Sequence, residues 1–318
     1  MNILVRMPNW LGDAVMATPA LNNIKKHFPD AQIILLASGS VTAMFEEDTS
    51  VIAISDKSKQ SKNRVKNIFA QAKELNAQFG EFEHIFVFTN SISTTFMMKL
   101  LNSKNLVGSK RGLRDLLLSK IIQVDIEAHQ AVIYNQIVNG YLKSNYETGK
   151  TSLVASKSKS NHKRLGINAG ASYGTAKRWD ADRFAEVAVA LSKEYEIMIL
   201  GAPNEKNIAT IIENILIQNN IKNYQNLVGK TSLKELLSTI ACLDLFITND
   251  SGPMHIAGAF SIPTVAIFGP TKHEQTYQWG NPKFSLVRKE IECAPCMKRD
   301  CPLKHHECMK FVSVKEVI

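Results

Sequence analysis

The chain has 318 residues, 45% hydrophobic and 21% charged, a length that fits two domains of about 150 residues better than one core. Its longest apolar runs, such as "IPTVAIFG", fall far short of the roughly 20 residues that span a bilayer, and "MNILVRM" enters a strand with no leader pattern, so a cytoplasmic protein is expected. A net charge of +9 favours anionic partners, and without an RNP motif, zinc finger or basic-region helix nucleic acid has no support.

The first half alternates strand-like and helix-like segments. "NILVRM", "AQIILLA", "VIAIS" and "HIFVFT" are short apolar runs of the buried parallel-strand kind. Between them "GDAVMATPALNNIKKHF", "SVTAMFEED" and "NRVKNIFAQAKELNAQFG" carry apolar residues at helical spacing, and a helix over 128–143 closes the half. The first of these helices opens with a lone acid, Asp13, behind a glycine. Locally it reads either as an ordinary helix-start acid or as a group that takes a proton from a substrate. The lysine clusters at 55–66 and 155–164 read as solvated loops and helix faces.

Residues 144–163 lose the periodicity and fill with Ser, Lys, Asn and Thr, as a linker would. The alternation then restarts with "RLGINA", a helix over 181–195, "EIMILGA", a helix over 204–219, "YQNLVG", a helix over 232–242, "LDLFITND", a helix over 253–260 and "PTVAIFG". This predicts an α/β protein of two doubly wound parallel-sheet domains, 1–150 and 151–318, facing a central cleft. Ligands in such sheets bind beyond the carboxyl ends of the strands.

Two strand ends in the second half carry chemistry. In "FITNDSGPMHIAGAF" a strand runs through Asn249-Asp250, turns at Ser251-Gly252 and enters a helix at Pro253, with His255 close behind. Backbone N–H groups at such a helix start favour an anion. In "GINAGASYGTAKRWDADRF" a strand enters a Gly/Ser loop that carries Lys177, a mobile point charge suited to a diphosphate. The same loop contains G-x-S-x-G around Ser172, but a nucleophile elbow needs its helix to begin at once, and here the helix waits for Asp180. Asp180-Ala181-Asp182 reads as a helix cap rather than a metal-binding D-x-D. Neither a dinucleotide fingerprint nor a P-loop is present.

Four of the five cysteines, Cys293, Cys296, Cys301 and Cys308, crowd together with His305 and His306. Structural zinc and a metal-free loop of buried thiols both remain open.

"MPNWLGDAVMATPAL", "GASYGTAKRW", "TNDSGPMHIAGAFSIPTVAIFGPT" and "CAPCMKRDCPLKHHECM" together resemble the ADP-heptose:lipopolysaccharide heptosyltransferases of glycosyltransferase family 9, most closely their heptosyltransferase II branch. The resemblance implies a GT-B fold, with an acceptor-binding first domain and a donor-binding second. It also implies inverting, metal-independent transfer of L-glycero-D-manno-heptose from ADP-heptose to the first heptose of the inner core, without a cofactor. Carried over by position, Asp13 is the general base and Lys177 contacts the donor phosphates. Asp250, Ser251, Gly252 and His255 form the donor motif. Ser172 and Tyr173 fall at the phosphate loop, Glu205 at the ribose and Thr231 at the adenine. Arg111 and Arg114, in "GSKRGLRDLLLSK", are candidate contacts for acceptor phosphates or acidic sugars. The implied partners are ADP-heptose, a heptose-bearing Kdo–lipid A acceptor and the cytoplasmic surface of the inner membrane. Heptosyltransferase I, another GT-B transferase or epimerase, and a non-catalytic nucleotide-sugar-binding protein are the rival readings.

Overall fold

The computed structural model describes residues 1–58, 63–158 and 160–318, so parts of both lysine clusters lie outside the described residues. The chain forms two compact units, Met1–Val154 and Ala155–Ile318. Each is built on a six-stranded, all-parallel sheet. The first contains β1 (Asn2–Arg6), β2 (Gln32–Ala37), β3 (Ile52–Ser55), β4 (Phe82–Val87), β5 (Ser103–Ser109) and β6 (Lys120–Ile122), in the order β3-β2-β1-β4-β5-β6. The second contains β7 (Arg164–Asn168), β8 (Glu196–Ile199), β9 (Tyr224–Asn226), β10 (Leu245–Asn249), β11 (Thr264–Phe268) and β12 (Phe284–Arg288), in the order β12-β11-β10-β7-β8-β9. Counted from its own first strand, each sheet runs third, second, first, fourth, fifth, sixth. The order therefore reverses direction between β1 and β4 in one unit and between β7 and β10 in the other. Loops leaving those strands diverge, and the crevice they leave is where such sheets take ligands.

Apolar runs explain the central strands. Ile3, Leu4 and Val5 of β1, and Ile34, Leu35 and Leu36 of β2, are fully buried, as strands covered on both faces must be. The core of the second unit gathers Leu165, Ile167, Ile197, Ile247 and Ile267 with Trp179, Met309 and Val312, so the C-terminal segment is part of that core.

The structure departs from expectation in a few places. The helix predicted over "GDAVMATPALNNIKKHF" is two segments, Leu11–Met16 and Thr18–His27, meeting at Ala17. Pro19 has no N–H to offer the Val15 carbonyl one turn back, and the Thr18 hydroxyl takes that carbonyl at 2.7 Å instead. Strands β5, β6 and β12 and the helix Ile92–Lys99 had no clear signal, being short, half-polar or rich in β-branched residues. The first part of the expected linker is fastened to the first unit. Asn135 and Asn139 both donate to the Tyr146 carbonyl at 2.8 Å, and the Ser152 N–H donates to the Thr18 hydroxyl at 3.0 Å.

Candidate active site

The crevice beyond β7 and β10 is assembled by two buried asparagines. Asn168, at the end of β7, donates to the hydroxyls of Thr248 and Ser251, both at 3.2 Å. Asn249, at the end of β10, accepts from the Trp179 N–H at 3.0 Å and donates to the Ala169 carbonyl at 2.8 Å. Each ties one strand-end loop to the other. Both asparagines lie at the sheet's switch point, so their bonds fix the mouth of the crevice.

Across that mouth lie the predicted charges. Lys177 closes the short 3-10 turn Thr175–Lys177, and its Nζ stands 2.6 Å from the Asp250 carboxylate. The side chains are 13% and 4% exposed, so the pair is held in a weakly screened environment. Thr271 donates to the same carboxylate oxygen at 2.6 Å. Ser251 precedes the helix Gly252–Ala259, and no side chain caps that helix; the Ser251 hydroxyl is engaged with Asn168 and Thr248 instead. The helix start thus keeps its positive end facing the strand-end loop. His255, within the same short helix, is 6% exposed.

The remaining predicted residues spread around this centre. Ser172 is exposed, and the next α-helix begins only at Ala181, so it has no nucleophile-elbow geometry. Tyr173 donates its hydroxyl to the Met297 carbonyl at 2.8 Å, while its ring carries Lys177 Nζ at 4.8 Å and the Arg299 guanidinium at 5.5 Å. It steers the lysine through its ring face, with its hydroxyl committed elsewhere. Glu205 is 5% exposed, accepts from the Ala202 N–H at 2.8 Å and presses on Gly170, where a Cβ would lie 2.0 Å from the carboxyl carbon. Thr231 is half-buried just ahead of Ser232, which caps the helix Leu233–Ala241. Asp180 stands at the N-cap of Ala181–Leu191 without making a capping bond, and its carboxylate faces Arg183 at 3.8 Å.

The cysteine-rich segment splints the Lys177 loop. The Arg299 carbonyl accepts from the Ala176 N–H at 2.9 Å, Asp300 accepts from the Thr175 hydroxyl at 2.6 Å, and His306 lies 3.0 Å from the Ala176 carbonyl. A Cβ on Gly174 would come within 2.2 Å of the Arg299 carbonyl, so that position requires glycine. All five cysteines are free thiols, and Cys293, Cys296, Cys301 and Cys308 line a small cavity of about 20 Å³. Burial, reinforced by the three neighbouring cysteines, pushes the Cys308 thiol up to about 11. Among the described residues no three His, Cys, Asp or Glu side chains are arranged to hold a metal ion.

In the first unit the segment after β1 is pinned by Arg6, which is fully buried. Its guanidinium pairs with Asp56 at 2.7 Å, reaches Asn9 at 2.9 Å and also donates to the Met7 and Leu36 carbonyls. Burial pulls its pKa down, and the charge and hydrogen bond of Asp56 oppose that pull. A cation inside an apolar strand must be paired, which is the sequence signal that would have found it. Asp13 follows, half-buried in the first turn of Leu11–Met16. It shares its surroundings with Tyr134, whose hydroxyl is pushed well above its ordinary range by burial and then by the Asp13 charge. A hydrogen bond with Gln130 and the positive charge of Arg111 act on that hydroxyl in the opposite direction. Tyr134 is thus acted on by both Asp13 and Arg111, and of these three residues it is the one no motif marks.

Arg114 corrects the expectation of an acceptor contact. It is 1% exposed, and its guanidinium donates to the Thr89 carbonyl, to the Ser109 carbonyl at 2.6 Å and to the Ser109 hydroxyl at 3.0 Å. Its role is to fasten the turn Leu113–Leu117 onto the sheet. Thr271 and Arg299 fall inside stretches the sequence marks, but only the fold brings them to Asp250 and Tyr173.

The chain matches the model of glycosyltransferase family 9 (heptosyltransferase) over residues 68–307. It is 41% identical to lipooligosaccharide heptosyltransferase 2 of Campylobacter jejuni subsp. jejuni serotype O:6, across all of this chain and 97% of the relative. The solved structure of E. coli ADP-heptose LPS heptosyltransferase II superposes with a TM-score of 0.81 at 22% identity, covering 99% of both chains. E. coli heptosyltransferase WaaC with ADP superposes at 0.78 and 14% identity, covering 91% of this chain and 94% of that one.

Proposed function

The chain belongs to glycosyltransferase family 9, the heptosyltransferases, and from that premise we propose that it transfers L-glycero-D-manno-heptose from ADP-heptose to the first heptose of the lipopolysaccharide or lipooligosaccharide inner core. The observation that carries this reading is the Lys177–Asp250 pair beside the uncapped helix start at Ser251. It sits at the sheet's switch point in a chain 41% identical, over its full length, to a lipooligosaccharide heptosyltransferase 2. In this reading the unit Ala155–Ile318 takes the donor and Met1–Val154 the acceptor.

The chemistry is a direct displacement with inversion. The acceptor hydroxyl oxygen bonds to the anomeric carbon as the bond from that carbon to the diphosphate oxygen breaks. ADP leaves with the electron pair, and the hydroxyl proton passes to the Asp13 carboxylate. Lys177 leaves Asp250 for the diphosphate, and together with the amides after Ser251 it stabilises the charge that develops there, so no metal is needed for that task. Thr271 then remains to satisfy Asp250. Asp13, at a helix start, favours the ionised form and is a weak base, which suits a late proton transfer once bond formation has acidified the hydroxyl. Arg111, whose charge like that of Asp13 acts on the buried Tyr134 hydroxyl, contacts the acceptor. Ser172, Glu205, Thr231 and His255 complete the donor pocket.

The acceptor is lipid-linked. Among the described residues no helix is long and apolar enough to cross a membrane, and a net charge of +9 suits a cytoplasmic enzyme attached peripherally to an anionic inner-membrane surface. Titrating the purified chain with ADP-heptose and with UDP-sugars tests donor class. Saturable binding of ADP-heptose alone is expected. Preferential binding of a UDP-sugar would remove the heptosyltransferase reading and leave only the fold.

A further inference from the structure

One region of the first unit exposes apolar side chains that burial in the core does not account for. Val65 and Phe69 stand on the helix Arg64–Phe79, Ile92 and Phe96 on the helix Ile92–Lys99, and Leu113 and Leu116 on the turn Leu113–Leu117. Leu113 and Leu116, at 78% and 86%, are the most exposed large hydrophobic residues among those described. The three segments are neighbours. The Phe69 and Phe96 rings meet edge-on at 6.1 Å, the Arg64 guanidinium reaches the Ser93 hydroxyl, and the turn packs against the helix Ile92–Lys99. Both helices begin, and the turn lies, after the carboxyl ends of β3, β4 and β5, on the same edge of the sheet as Arg111.

The turn inverts the usual arrangement of a surface segment. Its arginine, Arg114, is buried and bonded to Thr89 and Ser109, and Asp115 folds its carboxylate onto the N–H groups of Arg111 and Gly112. With its polar groups turned inward, the turn presents its two leucines outward. Charge is equally one-sided. Residues 109–121 contain Lys110, Arg111, Lys120 and the buried Arg114 against a single acid, Asp115, which is already used inside the turn. Lys110 and Lys120 flank the leucines and are exposed, as are Arg64 and Lys66 at the start of the neighbouring helix.

Apolar tips ringed by exposed cations complement an anionic lipid surface, with alkyl groups in the boundary of the acyl chains and cations against lipid phosphates. A second copy of the chain is a poor fit, because the same face would meet its own positive charge. We propose that this face, centred on Leu113 and Leu116, docks on a bilayer that contains anionic lipid. The proposal rests on the acceptor reading above and deepens it, since it gives the acceptor unit a surface on which a lipid-linked sugar is met.

Vesicle flotation tests this without donor or acceptor. The wild-type chain should float with phosphatidylcholine vesicles containing phosphatidylglycerol, far less with pure phosphatidylcholine, and less as salt rises. Leu113→Ser/Leu116→Ser should cut vesicle partitioning at least about tenfold, and Lys110→Gln/Lys120→Gln should weaken it and flatten the salt dependence. Both double variants should still transfer to a detergent-dispersed acceptor at the wild-type rate, which shows that they fold and keeps this test separate from that of the activity. Flotation of the leucine variant equal to wild type would overturn the proposal. So would wild type that ignores anionic vesicles, or a wild-type dimer that the leucine substitutions dissociate while neither form binds vesicles.

Discussion

Lys177 is paired with Asp250 at 2.6 Å, and the Tyr173 ring beneath it limits where its ammonium can swing. Its charge is thus poised and mobile at once. Lys177→Met should lower kcat/KM by roughly 10²–10³ and weaken ADP binding, measured by steady-state transfer and by titration. Lys177→Arg keeps the charge but carries a rigid fork in place of a point charge, so it should recover binding better than turnover. Equal kinetics for wild type and Lys177→Met would remove this lysine from the chemistry. Single residues were unevenly legible in the sequence. Lys177 and Asp250 could each be found because they follow an apolar strand, yet their pairing depends on β7 and β10 lying side by side, which no local pattern states. Arg111 and Arg114 look alike in the sequence, and only the fold separates a half-buried cation from one buried and bonded into the protein.

At the scale of elements, the loop that carries Lys177 has little regular structure of its own and is shaped by the cysteine-rich segment leaning on it. Gly174 is the point of closest approach, since a methyl there would collide with a backbone carbonyl that cannot turn away as a side chain would. Gly174→Ala should therefore lower unfolding stability by about 1–3 kcal/mol, read from the denaturant midpoint, and raise KM for the donor more than it lowers kcat. A variant with unchanged midpoint and KM would show that the splint is dispensable. The cysteine run was conspicuous in the sequence, but its task was not. Spacing offered zinc or buried thiols, and neither reading foresees the segment's backbone and side chains bracing the strand-end loop. Elements with long apolar runs were readable from periodicity; β5 and β12 were not, because "SKNLVGS" and "FSLVR" gain strand character only from the neighbours they pair with.

The whole molecule repeats one plan twice, and the alternation of strand and helix around a polar stretch was enough to predict that. What the alternation does not carry is strand order, and strand order decides which loops share a crevice. On the proposed assignment of the donor to the unit Ala155–Ile318, ADP at a hundredfold excess over its Kd should stabilise that unit by about 2.7 kcal/mol. Hydrogen exchange should show new protection after β7 and β10, with the sheet β1–β6 little changed. Protection centred on the loops after β1 and β4 instead would reverse the assignment of donor and acceptor units. The measurement that bears most directly on the central claim is single-turnover transfer from ADP-heptose to a heptose-bearing lipid A core, with wild type and Asp13→Asn. The account predicts that the variant binds ADP-heptose with unchanged affinity and loses transfer by at least about 10²-fold. Transfer at the wild-type rate would make Asp13 an ordinary helix-start acid and contradict the mechanism.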